Sequence, residues 1–193
     1  MKKEYWNDIA SKGAVLGVIM MASHILEQTC IMHSSLGGLA LIGIETIAVI
    51  VLYIYLLYRF AKGAAAKFGD NVLGFPYGQA LLYTIYVSVF AGIIVGFGGY
   101  IYLHYIVGYE HYIEQMIDNM QQILYASGTS SLAMRRYDDM LAVLAEQAEP
   151  GVISTIISSV CSYAFWGLII GLFIAGGVKR EPQIFDNNGQ NEE

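Results

Sequence analysis

Between Asp70 and Glu110 the sequence carries no Asp, Glu, Lys or Arg. A soluble helix of that length would need charge on its wet face, whereas a helix crossing hydrocarbon would not. That gap constrains the fold more than any other feature, and composition agrees with it. Only 13% of residues are charged and 56% are hydrophobic. Soluble domains carry about 25% charged residues. A soluble domain, a disordered chain and a disulfide-stapled secreted domain are excluded. The net charge of −6 offers no general attraction to nucleic acid.

A bilayer core of about 30 Å takes roughly 20 apolar residues as a helix. Four segments meet that length, at about 13–33, 39–58, 80–107 and 152–178. The last two exceed a minimal span and must tilt or project beyond it. Glu27 and Gln28 interrupt the first. That segment is not expected to be a cleaved leader. Glu4 and Asp8 dilute the basic start, and no small-x-small site follows Ala22. Tyr5 and Trp6 fit interfacial anchors, as do the tyrosines at 53, 55, 58, 100, 102 and 105.

Orientation follows Lys and Arg. Lys2, Lys3 and Lys12, then Arg59, Lys62 and Lys67, then Lys179 and Arg180 all fall on one side. Arg135 and Arg136 alone fall on the other. The expected organisation is a cytoplasmic tail over 1–12, a four-span domain over 13–178 with a cytoplasmic connection at 59–79, and a disordered cytoplasmic tail over 179–193. The fold class is all-α: an integral membrane four-helix bundle with an extracytoplasmic amphipathic helical hairpin over 108–150.

That hairpin carries seven acids against two arginines. Tyr112, Ile113, Met116, Ile117, Met120 and Ile123 follow the three-four spacing of one helical face. Ser127, Gly128 and Thr129 break the pattern, and a second stripe runs from Ala133 to Ala148. Such a hairpin can pack on the bundle or the bilayer rim. It can also offer a groove to a partner, because methionine faces such as Met116 and Met120 adapt to varied ligands.

Lipid tails give helices no hydrophobic reason to associate, so close packing must supply it. Gly13 and Gly17, Gly92 and Gly96, and Gly167 and Gly171 each form a small-xxx-small seam. These seams support a compact bundle, and a homo-oligomer is the alternative use for them. Ser154, Ser158 and Ser162 recur along another face of the fourth span, with Cys161 beside them. Those hydroxyls can bond a neighbouring helix or their own helix carbonyls. Cys30 and Cys161 read as packing residues.

Ionisable side chains inside a membrane are costly and are functional candidates by default. His24 and Glu27 lie on span one, Glu45 on span two and His104 on span three. At about 1.5 Å per residue, Glu27 and Glu45 each lie about 9 Å inside the cap-side boundary. The short connection between spans one and two then lets His24, Glu27 and Glu45 meet at one level. A carboxylate pair sharing a proton is material for proton handling. Two carboxylates with a histidine can instead ligate a metal. The plain alternative is that these groups hydrogen-bond to Gln28 or to serines and pin helix register. No metalloprotease, hydrolase-elbow or phosphate-loop motif occurs.

The stretch Phe75-Pro76-Tyr77-Gly78-Gln79-Ala80, the run Tyr100 to Gly108 leading into an acidic amphipathic helix, and the ending Gly171 to Arg180 resemble a bacterial membrane-protein family known as domain-of-unknown-function family 4199. The resemblance covers about Ala10 to Lys179. This chain has Val107-Gly108 where the family tends to have an Asp-Pro-like turn. The resemblance implies a four-span inner-membrane protein. It implies no activity, and it does not single out His24, Glu27 or Glu45.

The leading expectation is a non-enzymatic scaffold or accessory subunit of the bacterial inner membrane, with no cofactor and no metal. Its expected partners are the bilayer and either a membrane protein or a second copy. A small proton-linked transporter using His24, Glu27 and Glu45 is the alternative, and an intramembrane metalloenzyme is a distant third.

Overall fold

The structure is a computed structural model. It describes residues 2–33, 36–69, 74–126, 143 and 149–180. Its helices are α1 (Lys2–Met32), α2 (Leu36–Phe68), α3 (Tyr77–Ile101), α4 (Tyr109–Ala126) and α5 (Val152–Val178). A π-helical turn, Tyr102–Val107, continues α3. Among the described residues there is no strand, only one antiparallel bridge between Phe75 and Arg180. By length and composition α1, α2, α3 with its π turn, and α5 can each cross a bilayer.

Helix α5 keeps its predicted bounds, while α1 and α2 overrun theirs. Hydropathy marks where a span leaves the bilayer; backbone hydrogen bonds mark where a helix stops. The Ala- and Lys-rich stretch after Tyr58 has high helix propensity and continues α2 well past its apolar part. Of the predicted extracytoplasmic hairpin, the first helix is α4. The second, around 130–148, lies outside the described residues, as does the tail after Arg180.

The bundle is built around α3. Half (50%) of its apolar 18-residue stretch is buried, against 28% in α1 and 11% each in α2 and α5. The glycines explain why. A Cβ at Gly92 would lie 2.9 Å from Val160 Cα, and one at Gly96 would lie 2.9 Å from Ile156 Cα. Gly167 and Gly171 of α5 meet Ser88 and Thr84 of α3 in return. On the other side, Gly13 lies against Phe90, and a Cβ at Gly17 would lie 3.0 Å from Ala91 Cα. All six seam glycines therefore sit at contacts within one chain.

The core gathers at the end that holds the basic residues. Ile9, Leu16, Leu57, Ala61, Phe75, Tyr83, Val87 and Ala175 are all buried there. Phe75 exchanges backbone hydrogen bonds with Arg180 (3.1 and 3.0 Å), tying the entry of α3 to the exit of α5. Pro76 caps α3 with φ −66° and ψ 153°. The turn before it needs Gly74 at φ 67°, a left-handed conformation that side chains disfavour.

One tyrosine departs from the interfacial reading. Tyr53 is buried, and its hydroxyl donates to Ser88 Oγ (2.8 Å), which donates to Thr84 O (2.8 Å). A phenol reaches across an interface and still satisfies its own polar end. Position near a span end therefore did not make it a belt residue.

Helix α2 touches the bundle through Tyr53, Leu57, Ala61, Ala64 and Ala65. Before Tyr53 its described side chains are mostly open, although Val49 still packs against the core. Leu41, Ile44 and Ile47 are each 66% exposed.

Candidate functional site

The intramembrane polar residues lie at the end away from the basic core, here the cap end. Three-four spacing places His24, Glu27 and Gln28 together on the last turns of α1. Gly99 of α3 makes room for them. A Cβ there would lie 3.3 Å from His24 Cδ2. Below it Met21 occupies the space left by Gly98. Above it Thr29 Oγ1 donates to Ile25 O (2.7 Å) and accepts from the Tyr102 hydroxyl (2.5 Å). These contacts lock α1 against the end of α3.

Gln28 Nε2 lies 3.0 Å from His24 Nε2, and Glu27 Oε2 lies 3.8 Å from His24 Nδ1. With Gln28 as the donor, His24 carries its proton on Nδ1, towards Glu27. Gln28 Oε1 is then buried without a partner. With the amide reversed, Oε1 accepts from a protonated Nε2. The site thus offers a hydrogen bond to either ring nitrogen state through a flip of one amide.

Glu45 approaches this group without joining it. The Glu27 carboxylate is within electrostatic range of Glu45, of Tyr163 on α5 and of Tyr112 on α4. Among the described residues Glu45 makes no hydrogen bond or ion pair. The cap half of α2 is mostly exposed, and Glu45 on it is partly buried. Among the described residues no group of three or more His, Cys, Asp or Glu is placed to hold a metal ion.

Helix α4 closes over this end. Its acids Glu110, Glu114 and Asp118 are exposed. Burial, then the Glu27 carboxylate, raises the Tyr112 phenol above its ordinary 10.0, so it stays a neutral hydroxyl at neutral pH. Asn119 Nδ2 donates to Ile31 O (3.1 Å) and Met32 O (2.5 Å), satisfying open carbonyls at the end of α1. Sequence reasoning missed Asn119. An asparagine at a face boundary looks like any solvated residue until the helix end it caps is in place. Met116 is partly buried and Met120 is 38% exposed.

His104 lies apart from His24, in the π turn. Its ring stacks on Tyr100 (3.9 Å) and Tyr109 (5.7 Å), and Nδ1 donates to Tyr100 O (3.0 Å). Nε2 lies 3.1 Å from Glu149 Oε1, but the alignment fails hydrogen-bond geometry and Nε2 remains unsatisfied. On α5 the serine face points away from the bundle. Ser154, Ser158, Cys161 and Ser162 are exposed, so Cys161 is not the packing residue it was expected to be. No disulfide joins Cys30 and Cys161.

Four long apolar helices, three of them packed through glycine seams, define a multi-pass helical membrane protein. Within that class the chain belongs to the family described as "Protein of unknown function (DUF4199)", whose family model matches residues 12–180. The match takes in most of α1, all of the other spans, and Arg180 of the bridge. No curated protein and no solved structure matches the chain.

Proposed function

We propose that this protein is a non-enzymatic scaffold or accessory subunit of the bacterial inner membrane, with both ends of the chain cytoplasmic. The observation that carries this reading is the uncovered cap half of α2. Glu45 sits midway along it, partly buried itself, beside the exposed Ile44, Thr46 and Ile47. A charged side chain at the centre of a span costs about 2.5–3.5 kcal/mol, and at about 9 Å depth part of that cost still favours a protein neighbour over lipid. The serine face of α5 offers hydroxyls to a neighbour in the same way. The occupant of the α2 face is a transmembrane helix of a partner subunit, and exposed Met120 adds a contact outside the bilayer.

A photo-crosslinker placed at Ile47 in native membranes tests this. An adduct with one other membrane protein, weakened by Met116→Ala and Met120→Ala, is the expected result. Adducts with lipid alone overturn the reading.

The His24–Gln28 pair favours a second reading, a small proton-linked transporter, because its amide can serve either protonation state of the ring. Proton-coupled flux in liposomes that falls at least tenfold on Glu45→Gln, with the protein still monodisperse, supports it. Flux unchanged by that substitution removes Glu45 from the pathway.

A further inference from the structure

At the opposite, basic end a recess of about 460 Å³ opens between α1 and α2. Its lining includes Asp8, Lys12, Leu56, Arg59, Phe60 and Lys67. We propose that this recess binds a phosphate-bearing anion, with Arg59 and Lys12 as its ligands. The source its walls favour is the headgroup of an anionic phospholipid.

The charges in the recess do not balance. Asp8 is its one acid, and it is already engaged. The buried Tyr83 donates to Asp8 Oδ2 (2.8 Å), and Lys67 Nζ lies 3.5 Å from Oδ1. Lys12 and Arg59 remain. Lys12 Nζ is held 5.4 Å above the centre of the Phe60 ring. Among the described residues no carboxylate pairs with Arg59. Two cations facing one recess repel each other unless an anion lies between them. Arginine presents a planar fork that matches phosphate oxygens two at a time, and the ring over which Lys12 sits limits the freedom it loses on binding.

Depth selects the ligand class. Lys12 is the last charged residue of α1 before Glu27, and Arg59 is the first of α2 after Glu45. Both therefore stand where the apolar spans begin, at headgroup level. Basic pockets between helices at this level suit lipid headgroups. Leu56, one turn before Arg59, and Val15, one turn after Lys12, continue the recess as apolar wall in the direction an acyl chain would run. A soluble phosphate ester would use the same cations and leave that wall idle.

The test is native mass spectrometry of detergent-purified full-length protein titrated with phosphatidylglycerol, phosphatidylcholine or inorganic phosphate. The wild type is expected to retain one phosphatidylglycerol in preference to phosphatidylcholine. At about fivefold per cation, Lys12→Gln with Arg59→Gln weakens that binding about twenty-five-fold. Lys3→Gln with Lys62→Gln, which removes the same charge outside the recess, leaves it within twofold. The charge-preserving pair Lys12→Arg with Arg59→Lys stays folded and still binds, which separates loss of site from loss of fold. Thermal stabilisation by millimolar inorganic phosphate, with displacement of the lipid, would assign the site to a soluble phosphate ester. Equal loss in both glutamine pairs, or no preference for phosphatidylglycerol together with no effect of phosphate, overturns the proposal.

Discussion

The two ends of this bundle are built by opposite rules. From the basic end to the middle of the bundle, small alanines, buried aromatic rings and the Gly13, Gly17, Gly92, Gly167 and Gly171 contacts bring the helices together. A hydroxyl chain from Tyr53 through Ser88 to Thr84 O satisfies the polar atoms inside. At the cap end α2 is mostly uncovered, α3 loosens into a π turn, and Gln28 and His104 each keep a buried polar atom with no hydrogen-bond partner among the described residues. The difference teaches where function can reside. A fully satisfied, close-packed region holds one arrangement, whereas unsatisfied polar groups beside an open face leave room for a proton, a partner or both.

Overpacking the seams gives the largest expected effect. Gly92→Val drives a side chain into the backbone of α5 at Val160 and should cost about 3 kcal/mol, read as loss of cooperative unfolding in detergent. Gly43→Ala on the cap half of α2 meets nothing within 4 Å. It should be neutral or stabilise by up to about 1 kcal/mol. Equal costs for the two would erase the contrast between the packed middle of the bundle and the open cap half of α2.

Next comes the buried hydroxyl chain. Tyr53→Phe removes one donor and should lower stability by about 1 kcal/mol in the same unfolding assay. Tyr55→Phe, at an outward position, should change nothing measurable. A third change sharpens the cap. Asn119→Ala frees the end of α1 and should speed amide exchange in α4 about fivefold, with little effect on α3. The smallest effect belongs to Glu45→Gln. With no hydrogen bond or ion pair to lose among the described residues, it should shift the unfolding midpoint by less than about 0.5 kcal/mol equivalent. A large destabilisation would mean that Glu45 holds the bundle together and is not free for a partner.

Much of the fold was legible because its signals are local. Hydropathy over about 20 residues locates four spans, and small residues four apart mark faces that can approach closely. The α4 stripe from Tyr112 to Ile123 follows from its spacing alone. The site was only half legible. Spacing put His24, Glu27 and Gln28 on one face, since that is a property of one helix. It could not say whether Glu45 closes on them, because that depends on how far α2 leans from α1. The cation recess was missed for the same reason. Lys12 and Arg59 read as orientation signals until two helices placed them on one cavity.

The sequence by itself determined the class of object, a four-span helical membrane protein with its basic residues at one end. The cost of leaving charge in hydrocarbon and backbone groups unsatisfied there leaves few other folds open. Only the tertiary structure decided which residues face inward. It made Tyr53 core and Cys161 surface, used all six glycines within the chain, and left α2 half uncovered. Those outcomes depend on how whole helices lean and cross, and close packing among four helices fixes that geometry through contacts no single segment encodes.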